Sequence, residues 1–163
     1  MGLDHWLTRG RLNDKDRETV LTWRKENWLH NWFITHCAPE GYDEESQKPI
    51  GVTKENIIDL CGDIQSILDK VKELGVDVSE IKNEYEREAS AGKGLGLDEL
   101  EQDKVDQLIH FCENKMPTRS GFFFGSVEYD HWYFESLKDE LKDLNEVLEN
   151  WIDEKEYWYE VWW

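Results

Sequence analysis

Pro117-Thr-Arg-Ser-Gly-Phe-Phe-Phe-Gly-Ser-Val-Glu-Tyr-Asp-His-Trp-Tyr-Phe134 is the stretch on which the fold of this 163-residue chain turns. Three consecutive phenylalanines, Phe122 to Phe124, stand between Gly121 and Gly125. Exposing three such rings is costly, so the run reads as a short buried strand entered and left through glycine turns. Its polar flanks, Thr118, Arg119, Ser120, Ser126, Tyr129 and Asp130, are then held at fixed places beside an aromatic core. Beyond it, Leu137, Leu141, Leu144, Leu148 and Trp151 recur at spacings of four, three, four and three. That is the apolar seam of a helix from about Tyr129 to Trp151.

Toward the N-terminus, Leu3, His5 and Leu7 alternate with Asp4, Trp6 and Thr8, the period of a short strand. Asn13 or Asp14 is placed to cap a helix running to about Cys37. Pro39, Gly41, Pro49 and Gly51 mark residues 38–52 as a loop. A second helix starts at Thr53, carries Ile57, Leu60, Ile64, Ile67, Leu68, Val71 and Leu74 on one side, and ends at Gly75. Ser79 opens a shorter polar helix to about Ser90, and Gly92–Gly96 reads as a linker. Asp98 and Glu101 open a further helix that stops before Pro117. The C-terminal run Tyr157–Trp163 is rich in strand formers. The expectation is one α+β domain over residues 1–163, mostly helical, with an acidic helical insert at about 39–115. Its small antiparallel sheet has about three strands: the N-terminus, the Phe122–Phe124 region and the C-terminus.

Nine tryptophans, six tyrosines and six phenylalanines argue for a packed core, because each ring buries roughly 150–250 Å². No apolar run approaches the ~20 residues of a membrane span, and the first residues lack a signal-peptide pattern. The expected setting is cytoplasmic, with no membrane partner. Cys37, Cys61 and Cys112 are odd in number and widely spaced, which fits reduced thiols. His36, Cys37, His110 and Cys112 lack the spacing of a zinc site, so no metal and no cofactor is expected.

The net charge is −18, with 37 acidic residues against 19 basic ones. Split after Glu80, the balance is 16 against 10 before and 21 against 9 after. Such a field repels phosphates, which disfavours direct binding to nucleic acid and favours a basic partner protein. The faces available to that partner are Asp98, Glu99, Glu101 and Asp103, and Asp139, Glu140, Asp143 and Glu146.

On the expected first helix, Arg24, Asn27 and Asn31 form one polar strip with His30 beside it, while Trp23, Trp28, Leu29, Trp32, Phe33 and Ile34 cover the remainder. A helix apolar nearly all round is buried, so this strip needs partners. One reading is an internal network, for instance Asp130 or Tyr129 held against Arg24. The other makes Arg24, Asn27, His30 and Asn31 one wall of a pocket, with Thr118, Arg119, Ser120, Ser126, Tyr129 and Asp130 as the other. Arginine, hydroxyls and aromatic walls would suit a nucleotide or another small anion. The chain contains no nucleophile elbow, no phosphate-loop order and no His-Glu-x-x-His, so no catalytic residues are assigned.

Three blocks together, Met1-Gly-Leu-Asp4, Trp23–Phe33 and Pro117–Ser126 followed by Tyr129-Asp130, resemble a widespread group of small proteins encoded in bacteriophage and prophage genomes. The resemblance implies a phage-encoded accessory protein acting inside a bacterial cell, and it carries over no catalytic residues. Joined to the charge, it leads to an expected inhibitor of a basic host protein that handles nucleic acid, such as a CRISPR or other defence effector. A small-anion-binding protein is the alternative. The aromatic tail Trp158–Trp163 either closes the sheet internally or pairs with a second copy as a homodimer.

Overall fold

The computed structural model describes residues 2–38, 40–92 and 97–163. Four strands and five α-helices follow in the order β1 (Asp4–Arg9), β2 (Glu18–Arg24), α1 (Asn27–His36), β3 (Ile50–Val52), α2 (Lys54–Leu74), α3 (Glu84–Ser90), α4 (Glu99–Lys115), α5 (His131–Glu149) and β4 (Tyr157–Trp162). A 3-10 turn, Val78–Glu80, precedes α3. The strands form one antiparallel sheet in the order β2-β1-β4-β3. The α+β class with a small antiparallel sheet is as expected from the sequence.

The membership of the sheet differs from expectation in three places. The expected helix from Asn13 or Asp14 to Cys37 is a strand followed by a shorter helix. Residues 18–24, Glu-Thr-Val-Leu-Thr-Trp-Arg, include the β-branched or aromatic Thr19, Val20, Thr22 and Trp23, and β1 offers them a partner with His5 opposite Trp23. Lys25 then turns the chain with φ of 62° before α1 begins. Second, the Phe122–Phe124 segment is a turn, not a strand. Third, the loop expected over 38–52 ends in β3, which places Ile50 opposite Tyr159 and Val52 opposite Tyr157.

The aromatic tail forms β4 between β1 and β3, so it closes the sheet internally. Alternation along the strands sets two faces. His5, Leu7, Trp23, Tyr157, Tyr159 and Val161 are buried, while Asp4, Trp6, Thr22, Trp158, Glu160 and Trp162 lie on the opposite, more open face. Against the buried face, Phe33 of α1 stacks on Tyr159 with ring centroids 4.3 Å apart. Helix α2 packs on both α4 and α5, burying Ile57, Leu60, Ile64 and Ile67 against Val105, Leu108, Leu137 and Leu144.

The helix ends obey their sequence signals. Thr53 and Asn56 form a reciprocal capping box, and Gly75 closes α2 in the left-handed region at φ 66°. Asp98 accepts from the Glu101 N–H at 2.8 Å to start α4, and Asp130 accepts from Tyr133 N–H at 3.2 Å to start α5. The polar helix expected from Ser79 is split: Asn83 makes a fresh cap for α3 after the 3-10 turn. The linker reading of Gly92–Gly96 lies, from residue 93 on, outside the described residues.

Candidate functional site

The Pro117–Asp130 segment is a closed loop built around one side chain. The base is fastened by Thr118 Oγ1, which donates to the carbonyl of Val127 at 2.8 Å. Asn27, buried at the start of α1, sits in the middle. Its Nδ2 donates to the carbonyls of Phe124 (3.1 Å) and Ser126 (2.7 Å), and its Oδ1 accepts from the Arg119 N–H at 3.1 Å. One carboxamide thus satisfies three backbone groups that no strand or helix would otherwise pair. One turn on, Asn31 donates to the Pro117 carbonyl at 3.1 Å and accepts from Arg119 Nη1 at 3.2 Å, while Arg119 Nη2 pairs with Glu44.

The three phenylalanines have three different fates. Phe124 is 4% exposed, and its ring lies so close under Gly121 that a Cβ there would stand 2.6 Å from ring carbons. Phe123 is half-buried, and its carbonyl accepts from Leu3 N–H at 3.2 Å. Phe122 projects into solvent, 94% exposed. The expected burial of the whole triplet is therefore corrected: the loop is held by hydrogen bonds, and burying one ring suffices to seat it.

Asn27 and Asn31 reach the Pro117–Asp130 segment by hydrogen bonds, and Arg24 makes none to it among the described residues. That residue lies at the end of β2, its exposed guanidinium 3.7 Å from Asp4, away from the Asn27–Asn31 strip. The expected approach of Asp130 or Tyr129 to Arg24 is thus replaced by other pairings. Asp130 caps α5, and the Tyr129 hydroxyl accepts from Thr118 N–H at 3.0 Å. Ser126 Oγ accepts from Glu128 N–H at 3.2 Å, and Ser120 is exposed.

His30 lies between the loop and the sheet, its ring edge-on to Phe124 of the loop with centroids 5.3 Å apart. Its Nδ1 lies 2.7 Å from the Tyr159 hydroxyl, which lies 2.9 Å from His5 Nδ1. All three are fully buried. The hydroxyl can donate to one ring and accept from the other, so the two imidazoles carry opposite tautomers. Burial depresses both: His30 to about 4, with the Arg119 charge adding to the effect, and His5 well below its ordinary value, with His30 adding to it. The far nitrogens, His5 Nε2 and His30 Nε2, and the Tyr42 hydroxyl are buried without a partner among the described residues. His5 and Tyr159 were not among the expected site residues. The signal was present, since His5 falls between Leu3 and Leu7 on the apolar side of its strand.

The acidic faces divide differently from expectation. Asp98, Glu99, Glu101, Asp103, Asp139 and Glu146 are exposed, and Asp143 is half-buried. Glu140, expected on that surface, is buried (9% exposed) and accepts from the Trp23 indole N–H at 2.6 Å. Its period places it on the core side of α5, where a carboxylate was not anticipated. Burial raises it to about 7, and Glu26, Asp143 and Asp139 nearby push the same way against the Trp23 hydrogen bond. Glu26, bonded to Trp28 Nε1 (2.9 Å) and Ser136 Oγ (2.6 Å), is also raised, by burial first.

All three cysteines are free, and burial pushes Cys37 and Cys112 up to about 12 and Cys61 to about 11. Open hollows of about 600 and 640 Å³ lie elsewhere. The first is on the open sheet face by Trp6, Thr8, Arg17 and Glu160, the second beside His36, Asp63 and Lys115. Among the described residues no group of three His, Cys, Asp or Glu is arranged to hold a metal, and no helix is long and apolar enough to cross a membrane. In comparison with known proteins, the chain matches no family model, no curated protein and no solved structure.

Proposed function

We propose that this protein is a phage-type acidic accessory protein that binds and inhibits a basic host protein, one that handles nucleic acid, such as a CRISPR nuclease or another defence effector. The observation that carries this reading is the set of carboxylates on α4 and α5 left without a cation. Glu99, Glu101, Asp103, Asp139, Asp143 and Glu146 make no ion pair among the described residues. A rigid helical surface of that sign raises the encounter rate with a basic groove and is screened beyond about 10 Å at 0.1 M salt. The test is passage of bacterial lysate over the immobilised protein at low and high salt, followed by reconstitution from pure components. A basic protein should be retained at low salt, be released at high salt and lose activity when bound. Retention of no basic protein at low salt overturns the reading.

A second reading, a small-anion or nucleotide-binding protein, is favoured by one observation. His30 Nε2 and the Tyr42 hydroxyl lie buried and without a partner among the described residues, near Arg119 at the junction of α1 and the Pro117–Asp130 loop. Equilibrium dialysis against a nucleotide panel tests it, with Arg119→Ala as the control. Retention lost in that variant supports this reading, and no retention by the parent protein removes it.

A further inference from the structure

Phe122 is the most exposed large apolar side chain described, and it stands on one of the most firmly braced loops. The brace acts from several sides. Asn27 bonds the backbone at positions 119, 124 and 126, and Thr118 closes the loop onto Val127. Phe124 plugs into the space under Gly121, and Leu3 donates to the Phe123 carbonyl. Gly125, at φ 86°, lets the chain turn back where a Cβ would meet Lys25 at 3.2 Å. The Phe122 ring itself lies edge-on to Phe123, centroids 4.6 Å apart. An aromatic ring fixed in this way loses little conformational freedom on docking, and rigid aromatic anchors in apolar pockets dominate many protein interfaces.

We infer that Phe122 is a preformed anchor that inserts into an apolar pocket on a partner protein of net positive charge. A net charge of −18 opposes the two other common uses of a projecting aromatic, stacking on a nucleic-acid base and entering an anionic membrane. The charges of the loop are already engaged, Arg119 with Glu44 and Glu128 with Arg87, so the contact at its tip is apolar and short-range. Long-range attraction comes from the acidic helices. The inference rests on the reading of this chain as a binding protein, but it assigns the short-range contact to a different surface.

The experiment places a photo-crosslinking p-benzoylphenylalanine at position 122 of the full chain and, as a control, at Tyr85, which is 79% exposed on α3. After illumination in bacterial lysate, a single basic protein should be joined through position 122 and not through 85. Its purified form should bind Phe122→Ala at least about tenfold more weakly than the parent, with the melting curve unchanged. The inference is overturned by no adduct at 122, by equal adducts at both positions, or by unaltered affinity of Phe122→Ala. It is also overturned if Phe122-dependent binding appears instead with phosphatidylglycerol vesicles or a single-stranded oligonucleotide. A partner whose affinity follows salt and the α4 and α5 carboxylates but not Phe122 leaves the proposed function standing and removes this inference. Dependence on Phe122 without dependence on those carboxylates does the reverse.

Discussion

Trp23 of β2 donates its indole N–H to the carboxylate of Glu140 on α5 at 2.6 Å, a buried bond that ties the sheet to the helical layer across 117 positions of sequence. The ordinary value for the group is 4.5 and its folded value is about 7. The folded protein therefore keeps a proton over a range where the unfolded chain has released it, and stability falls as pH rises through that window. Above pH 7 the disadvantage is complete and amounts to at most about 3 kcal/mol, at about 1.4 kcal/mol per pKa unit. Glu140→Gln retains an acceptor for Trp23 and removes the ionisation. It should stabilise the protein by about 1–3 kcal/mol at alkaline pH and leave it nearly unchanged below the ordinary carboxylate range. Denaturant unfolding at the two extremes checks this, and equal effects at both would count against a buried ionisation.

The His5–Tyr159–His30 chain acts in the opposite direction. Both imidazoles stay neutral in the fold below their ordinary 6.5, with His30 held until about 4. The unfolded chain takes up those protons first, so this contribution is lost as pH falls from 6.5 toward 4. In the parent protein Glu140 partly masks the loss. The Glu140→Gln variant should show it openly, as a steady fall in stability on acidification below 6.5. Tyr159→Phe removes the hydroxyl shared by two buried rings and should cost about 2–4 kcal/mol, more than the methyl-scale change in volume accounts for. Thermal melts against pH read both effects.

Much of the architecture is legible in the sequence wherever a local signal and its tertiary use agree. Thr53, Gly75, Asp98 and Asp130 mark helix ends, and the stripe from Ile57 to Leu74 faces α4 and α5 as its spacing demands. The failures share a cause: partners distant in sequence decide the conformation. Residues 18–24 carry no break that separates them from α1 in the sequence, yet β1 is available to pair with them. The Phe triplet has the composition of a strand, but hydrogen bonds from Asn27, 97 and 99 positions away, hold it as a turn. Of the candidate site, the approach of α1 to the Pro117–Asp130 segment was readable from Asn27, Asn31 and Arg119. The pairing of His30 with Tyr159 and the burial of Glu140 were not, because each depends on a partner from another strand or helix.

The carboxylates of α5 that lack an ion pair among the described residues make a prediction independent of any partner. Like charges at close spacing repel, and salt screens them. The combined variant Asp139→Asn, Asp143→Asn and Glu146→Gln removes three charges from positions beyond the first turn of α5, clear of the helix start where acidic side chains are favourable. Its melting temperature at low ionic strength should rise above that of the parent, and the two should converge as salt is added. A parent protein insensitive to salt would show that these carboxylates are too well solvated to interact.

Gly121 tests how the loop is seated. A methyl group there would lie 2.6 Å from the Phe124 ring, which is buried and has no open side to move into. Gly121→Ala should therefore displace Phe124 and destabilise by about 1–3 kcal/mol, the usual range for overpacking. The same change at Gly75, where nothing lies within 4 Å among the described residues, lacks that clash, and its effect is the strain of φ 66°. Comparing the two variants separates the steric contribution from the backbone one.

Asn27 is the decisive residue for the loop, and its replacement distinguishes a loop held by hydrogen bonds from one held by packing alone. Asn27→Ala leaves two carbonyls and one N–H without partners at a buried position and should cost about 2–4 kcal/mol. Asn27→Asp retains the acceptor for Arg119 N–H but sets a carboxylate against the carbonyls of Phe124 and Ser126, so it should be worse than alanine at neutral pH. Chymotrypsin supplies a direct readout because it cuts after aromatic residues, and Phe122 is openly presented to it. A protease needs its substrate extended over several residues, so the braced loop should resist cleavage in the parent protein despite that exposure. In both variants cutting after Phe122 or Phe123 should become fast while the remainder of the chain stays intact at low protease. Rapid cleavage of the parent at this point would show that the loop opens freely and that the carboxamide of Asn27 does not hold it.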